Sequence, residues 1–173
     1  MNTFKDLHPY QNKAINFILE KKKCALFLNM GLGKTVITLT AISKLLDQFS
    51  ISKILIIGPL RVVSTVWHEE INKWSYLNHL TYSIVTGNEK ERLKALSKKA
   101  DIYLINRENV YWLYSIKKIN WDLIVIDESS SFKSSSSKRF KALKKFNYDY
   151  MIELTGTPSP NGYLDLWSQI FLF

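Results

Sequence analysis

Four residues within five positions, Gly31, Gly33, Lys34 and Thr35, stand between an apolar run and an amphipathic one in "LFLNMGLGKTVITL". Glycines let a backbone turn with its amides inward, and those amides, with the N-terminus of a following helix, cradle a phosphate anion. A lysine at that helix start reaches the β- and γ-phosphates of a nucleoside triphosphate, and the next hydroxyl can bind Mg²⁺. The pattern GxxxxGK[ST] would put a glycine where Leu28 stands, so the formal match is imperfect. The plainer alternative is a Gly-containing turn that opens an amphipathic helix. The strand–loop–helix context of Gly31, Gly33, Lys34 and Thr35 favours a nucleotide.

A phosphate loop needs a carboxylate partner for the metal, and "DLIVIDE" supplies one. In a parallel sheet ligands gather at the carboxyl ends of strands, where both Lys34 and Asp127 emerge. Asp127 is then the metal anchor, and Glu128 orients or deprotonates an attacking water. Standing alone, two acids at a helix N-terminus would be explained by the helix dipole; the phosphate loop tips the reading towards an active site. Seven of the nine residues after Glu128 are serine, which suggests a flexible linker. "KRFKALKKF" then resumes a helical pattern with Phe140, Leu143 and Phe146 three apart, and fewer than 40 residues remain, too few for a second domain. The serines therefore read as a βα loop.

These residues need a frame. Apolar strand candidates lie at 24–28, 53–58, 80–86, 101–106, 122–127 and 150–156. Helix candidates lie near 9–22, 34–48, 62–74, 89–99, 107–117, 136–146 and 162–172. Strands apolar on both faces and spaced by helices predict a doubly wound α/β fold with a mainly parallel sheet and helices on both faces. The length of 173 residues suits one domain, 46% hydrophobic content suits a packed core, and a single cysteine, Cys24, excludes a disulfide framework or a multi-cysteine zinc site. With no signal core and no membrane-length apolar run, the reading is soluble and cytoplasmic. Lys and Arg exceed Asp and Glu by 24 to 15, a net charge of +9 that favours a polyanion such as nucleic acid. Scattered lysines on solvated helix faces explain the same number.

Several motifs, taken in order, resemble the N-terminal RecA-like ATPase lobe of superfamily-two helicases, and most closely the Swi/Snf-type double-stranded DNA translocases, including compact phage and bacterial versions. "LHPYQ" is similar to the Q motif, which implies that Gln11 reads adenine. "NMGLGKT" resembles the family's phosphate loop, Met30-Gly31-Leu32-Gly33-Lys34-Thr35. "ILIIGPLRVVSTVWHEEINKW" resembles the next motif, "VIDESSSFK" stands at the Asp-Glu box, and "LTGTPSPNGYLDLWSQIFLF" resembles the third motif and the helix after it. The Thr155-Gly156-Thr157-Pro158 run differs from the Ser-Ala-Thr of RNA helicases of the Asp-Glu-Ala-Asp type. The resemblance implies that Thr155 and Thr157 relay the nucleotide state. It further implies that Arg61, Ser64 and Thr65, Thr86 and Gly87, and Asn106 and Arg107 contact nucleic-acid backbone. Ser64 and Asn106 also suit helix N-caps.

The departures carry expectations of their own. Asn29 replaces a common acid, His8 a frequent arginine, and Ser129-Ser130 the usual Ala-His, so coupling is expected to use Ser130 against Thr155 or Thr157. None of the four arginines (Arg61, Arg92, Arg107, Arg139) lies in a motif resembling the arginine-bearing one of a second lobe. Loss of an arginine finger costs about 10³–10⁵ in rate where one is used. The expected function is thus the Mg-ATP-binding lobe of a DNA-dependent ATPase, with ATP and Mg²⁺ as cofactors. Double-stranded DNA and a second RecA-like lobe are the expected partners, and no membrane is. A non-catalytic nucleotide-binding or interaction module, or an RNA helicase lobe, is the alternative. Trp67, Trp74 and Trp167 recur at helical spacing with aliphatic residues and are expected in the core; His68 and His79 show no ligand spacing.

Overall fold

In the runs Ile54–Gly58, Ile102–Asn106 and Leu123–Asp127 every side chain is buried. Successive strand residues point to opposite faces, so burial at every position requires cover on both. That is the arrangement in the computed structural model, which describes residues 1–116, 119–128 and 138–156. Strands β1 (Lys23–Phe27), β2 (Ile54–Gly58), β3 (Tyr82–Val85), β4 (Ile102–Asn106), β5 (Leu123–Asp127) and β6 (Tyr150–Thr155) form a six-stranded sheet in the order β1-β6-β5-β2-β4-β3. Every pairing is parallel. All six fall where the apolar runs predicted them. The serine tract at 129–137, the expected helix at 162–172, and with them Ser130, Thr157 and Trp167, lie outside the described residues.

Alternate residues divide the core. Ile54, Ile56, Leu104, Val125 and Leu154 face one cluster, to which α1 (Pro9–Glu20), α2 (Lys34–Asp47) and α3 (Trp67–Lys73) contribute Ile15, Leu39, Ile42 and Trp67. Leu55, Ile57, Ile105, Ile124 and Met151 face the other, with Ala95 of α4 (Glu89–Ser97), Leu113 of α5 (Val110–Ile116) and Phe140 and Leu143 of α6 (Lys138–Leu143). The expected helix over 62–74 is in two parts: a π-helical turn, Val62–Val66, precedes α3. Val63, Trp67 and Ile71 are all buried, and a spacing of four drifts against a 3.6-residue period. The wider turn compensates that drift and keeps the three on the sheet side. Likewise the helix expected from 107 starts as a 3₁₀ turn, Arg107–Asn109. No helix among the described residues is long and apolar enough to cross a membrane.

One side chain ties the amino ends of the central strands. Asp122 Oδ2 accepts from Ser52 N (2.7 Å), Ser52 Oγ (2.7 Å) and Lys53 N (2.9 Å), while its backbone carbonyl accepts from Asp149 N (3.2 Å) and Tyr150 N (2.9 Å). Partial burial raises the Asp122 carboxyl, but the hydrogen bonds from Ser52 and Lys53 together outweigh it and hold the group below its ordinary value. The native state thus prefers the ionised form. Its contribution is present above the unfolded value near 4 and disappears as pH falls through the lowered native one. Asp122→Ala is expected to cost about 1–3 kcal/mol at pH 7. Urea unfolding at pH 7 and pH 3 checks this, and the gap between wild type and variant should narrow at the lower pH.

Candidate nucleotide site

After Phe27 the chain continues the β1–β6 ladder for one more hydrogen bond, Leu28 N to Thr155 O at 3.1 Å, and then turns. Gly31 (φ 82°) and Gly33 (φ 75°) both hold left-handed backbone, where an L side chain is strained. Gly33 is constrained twice, because a Cβ there would collide with the Gln11 amide nitrogen. It immediately precedes α2, so the loop delivers the chain to a helix N-terminus. Lys34 Nζ folds back over this loop, donating to Leu28 O (2.8 Å) and Asn29 O (3.3 Å). Met30 and Leu32 are exposed at its crown, and Thr35 is half-buried one residue into the helix.

Two other segments brace the loop. Gln11 is buried at the start of α1; its Oε1 accepts from His8 N (2.9 Å) and its Nε2 points to Leu32 O at 3.5 Å. Tyr10 Oη donates to the same carbonyl at 3.1 Å. On the opposite side, Thr155 is fully buried at the end of β6, and Gly156 lies against the backbone of Leu28, Asn29 and Met30. A Cβ on Gly156 would stand 3.4 Å from Leu28 O.

The acids arrive from β5. Asp127 and Glu128 share with Gly31, Gly33, Lys34 and Thr35 a cleft of about 360 Å³ whose far wall is formed by Val62, Val66, Glu70 and Lys73. Larger recesses, of about 440 and 900 Å³, both touch Lys53 and lie at the amino ends of the strands, away from these groups. Asp127 is only 7% exposed. Burial raises its carboxyl to about 6; the Trp67 indole N–H, donating to Oδ2 at 3.0 Å, and the Lys34 charge oppose that rise, and the neighbouring Glu128 adds to it. Gly58 on β2 permits this approach, since a Cβ there would sit 3.3 Å from Asp127 Cβ. Glu128 has φ 56°, a left-handed conformation that a non-glycine residue adopts at a cost and that concentrates at functional sites. The hard oxygens of Thr35 and Asp127 suit Mg²⁺, which is held by one or two protein oxygens together with substrate phosphates.

The expected nucleic-acid contacts come from the carboxyl ends of β2, β3 and β4, on the same edge of the sheet. Arg61 is exposed, and Thr65 Oγ1 donates to its carbonyl at 2.7 Å. Ser64 sits inside the π turn and is not a cap. Thr86 is half-buried, and the carbonyl of Gly87 accepts from Arg92 at 2.9 Å. Asn106 does not cap the following turn with its side chain: Nδ2 donates to Glu108 Oε2 (2.9 Å) and Oδ1 accepts from Asn109 (2.6 Å). Arg107 Nε pairs with Glu108 Oε1 at 2.9 Å. Sequence reasoning missed Glu108, which binds two of the proposed phosphate contacts, and it missed the polar end of Trp67. Trp67 and Trp74 are in the core as expected, yet a buried indole N–H needs an acceptor, and that rule was the available signal. Trp74 uses Glu70 at 2.7 Å.

An all-parallel sheet with a glycine loop after its first strand and a carboxylate pair ending a central one defines a RecA-like P-loop domain. The chain matches the SNF2-related domain over residues 10–173 and belongs to that family. It is 38% identical, over 98% of its length, to the putative protein p41 of Acyrthosiphon pisum secondary endosymbiont phage 1, of which it covers 39%. It is 33% identical, over 95% of its length, to the ISWI chromatin-remodeling complex ATPase ISW1 of Saccharomyces cerevisiae, covering 15% of that protein. Among solved structures it resembles the Sulfolobus solfataricus SWI2/SNF2 ATPase core in complex with dsDNA, with a TM-score of 0.85 and 32% identity over 97% of this chain and 36% of that one. The chain therefore spans under two fifths of the length of each of these relatives.

The buried carboxyl has a stability consequence. The native state keeps the Asp127 proton up to about pH 6, whereas the unfolded chain releases it near 4. Ionisation thus opposes folding, with no penalty below the lower value and the full penalty above the higher. Asp127→Asn is expected to stabilise the nucleotide-free protein at pH 7.5 by on the order of 2–3 kcal/mol, and by little at pH 4. Denaturant unfolding at the two pH values measures it; an unchanged midpoint at pH 7.5 would contradict the burial argument.

Proposed function

We propose that this chain is the Mg-ATP-binding lobe of a DNA-dependent ATPase that moves along duplex DNA and hydrolyses ATP efficiently only with a second RecA-like lobe. The observation that carries this reading is the cleft itself: Lys34 and Thr35, from the loop after β1, face Asp127 and Glu128, from the end of β5, across one space. In this reading the amides of Gly31–Thr35 and the N-terminus of α2 hold the β-phosphate. Lys34 leaves its two loop carbonyls to neutralise the γ-phosphate, so the loop oxygens act as a stand-in for the ligand until it arrives.

Thr35 and Asp127 would hold Mg²⁺, which would supply positive charge to the phosphates when bound. Glu128 orients the attacking water and accepts its proton. Gln11, already bonded to the loop, reads adenine beside Tyr10. Thr155, with Thr157 and Ser130, passes the nucleotide state to the loops after β2, β3 and β4. There Arg61, Ser64, Thr65, Thr86, Gly87, Asn106 and Arg107 contact phosphates without reading sequence. The net charge of +9 suits a polyanion, and similarity to a SWI2/SNF2 ATPase core solved in complex with dsDNA favours duplex DNA as that polyanion.

No arginine among the described residues lines the cleft, so hydrolysis by this chain alone is expected to be slow. Supplied with a second lobe, it should turn over ATP faster with duplex DNA than with single-stranded RNA. Lys34→Ala should weaken binding of a fluorescent ATP analogue at least about ten-fold, and Glu128→Gln should keep binding while turnover falls about 10²–10⁴-fold. Equal binding by wild type and Lys34→Ala would reject the site. DNA-stimulated turnover that survives Glu128→Gln would reject the role given to Glu128.

A further inference from the structure

Trp67 is the first residue of α3, fully buried, and 60 positions from Asp127 in the chain. An indole in a core needs only some acceptor for its N–H, and backbone carbonyls are the commonest one available. Here the acceptor is instead the carboxylate of the cleft, Oδ2 of Asp127 at 3.0 Å. Gly58 lies against the Cβ and backbone of Asp127, with Val63 packed against the same glycine. Asp127 is therefore packed at its Cβ by the β2 backbone, held at one carboxylate oxygen by a fixed donor, and only 7% exposed as a residue. A long flexible donor such as lysine would follow the carboxylate; a buried indole, locked by its own packing, makes the carboxylate follow it. Trp67 also continues directly from the π turn whose Val62 and Val66 form the far wall of the cleft.

We propose that Trp67 is a positioning residue for the metal ligand: its indole N–H holds one oxygen of Asp127 so that the carboxylate is oriented for the divalent cation of bound Mg-ATP. The inference rests on the proposed function, because it assigns a support to a site that reading defines. Outer partners of metal ligands typically cost 10–100-fold in metal affinity when removed. Trp67 is then expected to set how much Mg²⁺ tightens nucleotide binding while leaving the nucleotide's own contacts with the phosphate loop intact.

The test is Trp67→Phe in the 173-residue chain, which keeps an aromatic ring in the core and deletes the donor. Affinity for a fluorescent ATP analogue is measured with Mg²⁺ and with EDTA. The expected result is a wild-type-like affinity in EDTA together with a Mg²⁺ enhancement reduced about ten-fold or more. A purely structural role would lower the unfolding midpoint and leave the enhancement unchanged, and an unchanged enhancement overturns the proposal. Should Trp67→Phe fail to fold, the indole N–H resonance of Trp67 in the ¹⁵N-labelled wild type, identified by its displacement in Asp127→Asn, decides the question. It should move when Mg²⁺ is added to the analogue-bound chain, and a resonance that stays still overturns the proposal. A wild-type chain that binds no analogue under either condition overturns the proposed function and this inference with it. Binding that is equally tight with and without Mg²⁺ overturns this inference and the metal role given to Asp127, and leaves the nucleotide contacts of the phosphate loop standing.

Discussion

Asp127 is kept almost out of water at the carboxyl end of a central strand, where an ionised carboxyl is costly and survives only with partners around it. The surrounding structure follows from that constraint. β2 must present a glycine at its last position so that the Asp127 Cβ can lie close to its backbone. α3 must begin with a residue that buries bulk and still donates a hydrogen bond. The chain before α3 must take an extra-wide turn so that this residue faces the sheet. Just before β5, five residues earlier, a second aspartate is placed oppositely: Asp122 is half in water, with three donors on its Oδ2, and stabilising. The two ends of this segment thus carry a carboxylate that secures the fold and a carboxylate that the fold must tolerate.

The phosphate loop is braced in the same indirect way. Strand order separates β1 from β5 by β6, so the loop and the acid pair do not touch through neighbouring strands; β6 lies between them and ends on Thr155 and Gly156 against the loop backbone. A displacement of the loop on nucleotide binding therefore has a short path into the end of β6, the segment expected to report nucleotide state. From the other side Tyr10 and Gln11 hold the Leu32 carbonyl. Asn106 and Arg107, in contrast, are occupied by Glu108. Under the proposed function, a DNA phosphate takes the place of that carboxylate and meets the same donors.

Much of this was legible in the sequence because two signals were strong. Continuous apolar runs such as "KILIIG" and "DLIVID" admit only strands covered on both faces, and glycines before Lys34-Thr35 admit few uses. The parts that stayed hidden depend on long-range placement. Helical spacing marks Trp67 as core without revealing which acceptor its N–H meets. Ser64 and Asn106 have the composition of helix caps, yet a π turn absorbs the first, and Glu108 and Asn109 bind the second. The strand order, with β6 and β5 inserted between β1 and β2, has no local signature at all. It is nonetheless what brings Lys34 and Asp127 to one cleft.

The central claim is that one divalent cation is held between the phosphate loop and the end of β5. Paramagnetic broadening tests it most directly, with Mn²⁺ in place of Mg²⁺ and a non-hydrolysable ATP analogue bound to the ¹⁵N-labelled chain. The account predicts selective loss of the amide signals of Gly33, Lys34, Thr35, Asp127 and Glu128, while those of Lys53, Ser97 and Asn120 at the far end of the sheet persist. Broadening centred on that far end, or spread evenly over the chain, would contradict it.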